Sequence, residues 1–294
     1  MMPHNSRRRA IAALAAAALI AIAFSPAVGR AQVLQQIEQQ VAGNSPRSSS
    51  PPSGAPPTQN SNASNSDADP DDDSDLLGEA ELGAAICVIA APYWAPIHFL
   101  GDDLTSGYFL RYPYWNDMPG SMFIPGPDER RYRQWDGEAS IEYADNFDDV
   151  DRIGTHFRVS TTSRFDFETN WNTFTEATPA GRDHLTLGDV DVLFRFAQTD
   201  VVQFRSGLGA NWLDDHHGAY AGFNFRYGVE WYPVRPLAVK SLIDLGEIGK
   251  AGMVHARITI GALWHRWEVF TGYDFRQIGD VHVDGPVAGV LFRS

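Results

Sequence analysis

From Glu138 onward the chain alternates between apolar and polar positions. Ile153, Thr155, Phe157 and Val159 make one face of a segment whose other face is Arg152, Gly154, His156 and Arg158. Phe165, Phe167, Thr169 and Trp171 oppose Asp166, Glu168, Asn170 and Asn172. The longest run sets Ala219, Ala221, Phe223, Phe225, Tyr227, Val229 and Trp231 against Gly222, Asn224, Arg226, Gly228 and Glu230. A period of two puts successive side chains on opposite faces of a strand, and helical spacing fits none of these runs. Ten strands are predicted, over 138–144, 152–162, 164–175, 184–197, 201–212, 217–232, 236–247, 252–265, 267–276 and 281–293. Most exceed the usual five or six residues of a soluble strand and reach what a tilted strand needs to cross a bilayer.

These bounds leave connections of about seven, two, eight, three, five, three, four, two and five residues, an alternation expected where long loops lie outside and tight turns lie in the periplasm. On that basis the turns at Thr162-Ser163, Gln198–Asp200, Pro233–Arg235 and His265-Arg266 are assigned to the periplasm, with both strand-domain ends. The same orientation sorts the aromatics. Phe196, Trp231, Trp264, Trp267 and Phe292 fall at the periplasmic strand ends, and Trp171 and Trp212 near the outer ends. Amphipathic rings favour both membrane–water interfaces.

The polar face is charged and close to balance. Its cations are Arg152, Arg158, Arg195, Arg205, Arg226, Lys240, Arg257 and Arg276. Its acids include Asp166, Glu168, Asp189, Asp191, Glu230, Asp244, Glu268 and Asp274, with Glu138 and Glu142 on the first strand. A solvated outer face would favour lysine, whereas arginine suits two-pronged pairing in a confined lumen. The expectation is therefore an all-β, closed, antiparallel up-and-down transmembrane barrel, with eight strands as the alternative if the first and last segments do not span. Side chains fill the interior of so small a barrel. A soluble lipocalin-like barrel binding an apolar ligand shares the alternation with its faces reversed.

Residues 138–294, with an aromatic near the C-terminus at Phe292 followed by Arg293-Ser294, resemble the small bacterial outer-membrane β-barrels. The resemblance implies outer-membrane lipid as surroundings and recognition of the terminal aromatic by the barrel-assembly machinery. It implies no particular activity.

The first half of the chain differs in kind. Arg7, Arg8 and Arg9, the apolar run Ala10–Phe24 and the small residues around Gly29-Arg30-Ala31 have the form of a secretory signal peptide, 1–31, cut ahead of Gln32. Its removal takes four arginines and no acid, so the formal charge of −14 becomes −18. Residues 32–75, rich in Gln, Ser, Pro, Asn and Asp, bury too little apolar surface to order themselves and are expected to form a periplasmic tether. Residues 76–136 combine a short apolar run, Leu76–Ala91, with Pro/aromatic clusters at Pro92-Tyr93-Trp94 and Tyr112-Pro113-Tyr114-Trp115. Such a stretch needs a surface to pack on, a barrel end or the lumen, unless it is an ordered loop belt. The strand domain is 137–294.

The net acidity speaks against a nucleic-acid partner. One cysteine, Cys87, excludes an internal disulfide and multi-cysteine metal sites. His156 with Ser160, or His255 near Glu268, are the candidates for an outer-membrane lipid-modifying enzyme, and both read better as lumen hydrogen-bonding groups. Asp214-Asp215-His216-His217-Gly218 reads as a tight turn before it reads as a metal site. No cofactor is expected. The resulting expectation is a non-catalytic barrel with a structural, anchoring or narrow porin-like role.

Overall fold

The structure, a computed structural model, describes residues 32–43, 91–100, 102, 107–123, 133–146, 150–179, 181–215 and 218–294. The signal peptide, most of the tether, Leu76–Ala90 and His216-His217 lie outside the described residues.

Ten long strands follow one another as antiparallel neighbours: β3 (Trp135–Asp145), β4 (Val150–Thr161), β5 (Phe165–Thr178), β6 (Gly181–Gln198), β7 (Val202–Asp214), β8 (Ala219–Trp231), β9 (Leu237–Ile248), β10 (Ala251–Trp264), β11 (Trp267–Ile278) and β12 (Val281–Arg293). They form a closed barrel. The closing seam pairs β12 with β3, from Val287 opposite Ala144 to Arg293 opposite Glu138. Closure leaves no unpaired edge among the ten strands. A bulge in β6 sets Arg195 and Phe196 opposite Arg205, between the pairs Phe194–Ser206 and Ala197–Phe204.

The connections correct the loop-length expectation. At the end remote from the start of β3 they comprise four, two, four, two and two residues. At the terminal end, where β3 begins and β12 stops, they comprise three, three, five and two. The strands run further than expected. Polar residues such as Thr175–Thr178 and Gly181–His184 continue the β5–β6 hairpin past the point where apolar alternation fades. Loop length therefore does not orient this barrel.

The second correction concerns residues 32–75. Val33–Ala42 form a helix, α1, instead of unstructured chain. Val33, Leu34, Ile37 and Val41 lie on one face and are buried. They pack on Val150, Phe174, Leu185, Leu213, Ile248, Met253 and Ile278, at the end remote from the chain's entry into the barrel. Gly43, at φ 74°, closes the helix by donating to Gln39 and Gln40 carbonyls. A ten-residue helix is marginal alone, so its stability comes from this docking.

Residues 91–100 are helical. Downstream, β1 (Tyr108–Phe109) and β2 (Met122–Phe123) form a small antiparallel pair, to which Arg133 adds a bridge at Phe109.

Candidate functional site

The side-chain alternation turns apolar groups outward and charges inward. Phe157, Phe167, Val192, Leu208, Phe223, Ile260 and Val269 are exposed on the wall. Among the sixteen charges expected in the lumen, Lys240 and Arg257 are half-buried and all the others are buried.

Arg226 is the hub of this interior. Its guanidinium meets Asp244 twice, at 2.6 and 2.8 Å, and reaches Glu168 at 2.9 Å, Asp191 at 3.0 Å and Asp189 at 3.1 Å. Arg158 joins Glu138 to Glu230, the latter at 2.5 Å. Arg205 also meets Glu230, at 3.2 Å. Arg195 pairs with Asp166 at 2.5 Å. Arg152 and Arg257 share Glu142, and Arg152 continues to Asp274 at 3.3 Å. Lys240 holds Glu268 at 3.0 Å. Arg276 lies over the Phe174 ring and beside His255.

Arg293, absent from the lumen cations expected from the sequence, is buried and pairs with Glu138 at 2.9 Å and Asp136 at 3.3 Å. The period of two carries it inward, one position past outward-facing Phe292.

The two enzyme-like pairs are not assembled. His156 contacts Glu168 at 3.3 Å, and Ser160 lies four residues along the same strand, roughly 13 Å away. His255 is held between Asp244 at 2.8 Å and Asp274 at 3.2 Å, with both ring nitrogens engaged by carboxylates. Among the described residues no group of three or more His, Cys, Asp or Glu could hold a metal ion.

Both ends of the charged layer are lidded. At the remote end lies the apolar cluster under α1. At the terminal end Tyr114 packs with Tyr232, Ala238 and Leu263. The Tyr114 hydroxyl donates to the Leu237 carbonyl at 2.7 Å, and burial pushes its pKa up to about 12, so it stays a neutral donor. Asp102 accepts two hydrogen bonds from Arg164, both at 2.8 Å, and one from the Gln198 backbone. Ser121 donates its N–H to the Asp200 carbonyl, and its hydroxyl accepts from Gln203. Gly120 permits this approach: at φ 73° it would place a Cβ 1.7 Å from the Asp200 carbonyl oxygen. The cluster around Tyr112–Trp115 thus packs on a barrel end.

Between the lids, a lumen cavity lined by Arg158, Glu168, Arg205, Arg226 and Glu230 measures about 60 Å³, room for a few waters.

The interface aromatics divide. Trp171, Trp264 and Trp267 are exposed on the wall, with Trp264 at 71%. Trp212 and Trp231 are half-buried. Trp171 meets Trp212 edge-on at 5.2 Å, and Trp267 meets Phe292 at 5.0 Å. Phe196 is buried within the bulge, against Phe204 and Tyr227.

No family model and no curated protein matches the chain.

Proposed function

We propose that this protein is an outer-membrane β-barrel with a structural or anchoring role and a sealed lumen. The observation that carries the reading is the direction of the alternation. Exposed Phe, Leu, Ile and Val cover the wall while Arg, Asp and Glu fill the interior. A soluble carrier of apolar ligands requires the reverse, and a bilayer requires this arrangement. The signal-like segment at 1–31 supports export, and the balanced arginine-rich interior supports a closed barrel over a porin. Outer-membrane lipid is the partner of the wall, and the barrel-assembly machinery is its partner in biogenesis. No catalytic step is assigned to it.

Planar-bilayer recording of refolded protein tests the sealed state. The reading predicts no conductance steps above background. Stable, salt-dependent steps would replace it with a narrow porin.

A further inference from the structure

The carboxylate of Glu176, near the end of β5, is 1% exposed. Its Oε1 accepts from the backbone nitrogens of Gln32 at 2.9 Å and Val33 at 2.7 Å, and its Oε2 from that of Leu34 at 2.9 Å. Among the described residues no Lys, Arg or His side chain forms an ion pair with it. A buried carboxylate without a cation is costly, and three amide dipoles offset that cost only in part. Among the described residues its hydrogen-bond donors are the backbone nitrogens of Val33 and Leu34, which open α1, and of Gln32 just before them.

Gln32 is also the residue that the sequence places directly after the signal cut. Hydrolysis of the Ala31–Gln32 bond gives the hydroxyl of water to the Ala31 carbonyl carbon, leaving a carboxylate. The Gln32 nitrogen takes the other proton of that water and the one the new carboxyl group releases, and becomes an ammonium at neutral pH. The atom that donates a neutral hydrogen bond to Glu176 in the uncut chain carries a full positive charge in the cut one.

We propose that Glu176 is the receptor for this newly released amino terminus, so that processing itself locks α1 over its end of the barrel. The inference rests on the export reading above. Before the cut, α1 is held by its apolar face and three neutral hydrogen bonds. After it, an ion pair on the buried Glu176 carboxylate joins the exposed Gln32 to β5. The pair also offsets the unfavourable placement of a positive charge at a helix N-terminus. Closure of the remote end would then follow maturation, and an unprocessed chain would carry a weakly seated plug.

The test uses full-length protein expressed with its own leader and purified after export. Mass spectrometry of the amino-terminal peptide is expected to show a chain beginning at Gln32 with a free amine. A limiting amount of an acylating reagent at neutral pH then labels amines, with Lys250 as the internal reference. An opposite charge holds an amine protonated, so Gln32 in the native protein should be labelled roughly tenfold more slowly, or slower still, than in Glu176→Gln. In urea the two should label alike. A second variant with one alanine inserted between Ala31 and Gln32 keeps Glu176 but displaces the amine, and should label as fast as Glu176→Gln. That variant gives a result even if Glu176→Gln does not fold. A mature terminus elsewhere, cyclisation of Gln32 with loss of ammonia, or equal labelling of native and variant proteins overturns the proposal. If the labelling pattern holds in protein recovered from the soluble extract, the ion pair stands and the membrane reading falls.

Discussion

Arg226 and Asp244 form a two-pronged ion pair inside the barrel, Nε to Oδ1 at 2.6 Å and Nη2 to Oδ2 at 2.8 Å, on neighbouring strands β8 and β9. The same guanidinium also serves Glu168, Asp189 and Asp191 from strands β5 and β6. One side chain thereby cross-links four strands. Its net contribution to stability is small, because desolvating so many charges offsets most of the attraction. Its larger effect is on register, since a slip of one residue would turn Arg226 to the outer wall and strand four carboxylates.

Removing it should therefore be severe. Arg226→Ala leaves buried acids without their cation and is expected to cost about 3–5 kcal/mol. Arg226→Lys keeps the charge but not the planar fork, and should fall between the two. Urea unfolding in detergent, followed by tryptophan emission, gives the ordering. A variant as stable as the native protein would show that the network is dispensable.

Leu208 on the outer wall separates lipid from water as the surrounding medium. It is 56% exposed and sits mid-strand, opposite Val192 and Phe225. In a bilayer Leu208→Arg is expected to cost about 2–4 kcal/mol, whereas an exposed position on a soluble barrel would change by less than about 0.5 kcal/mol. Reversible unfolding in lipid vesicles measures the difference.

Much of the barrel was legible because burial follows a strict period of two. The pattern located all ten strands, and β12 spans the residues read from the sequence, 281–293. It misjudged connections because polar strand extensions such as Gly181–His184 hydrogen-bond without any apolar contrast to mark them. The bulge at Arg195-Phe196 was invisible for a related reason: one extra residue shifts register without changing composition. The helix α1 was hidden by its glutamines, although Val33, Leu34, Ile37 and Val41 carry helical spacing. The terminal lid has no period at all. Its order comes from contacts with distant partners, such as Asp102 with Arg164 and Ser121 with Gln203. Those partners are fixed only once the barrel has closed.

The most direct measurement of the central claim is gel mobility, unboiled against boiled, of protein extracted from urea-washed outer membranes. A sealed transmembrane barrel stays with the membranes through the wash and migrates as a compact form until boiled. Protein released into the urea supernatant, with one mobility before and after boiling, would contradict it.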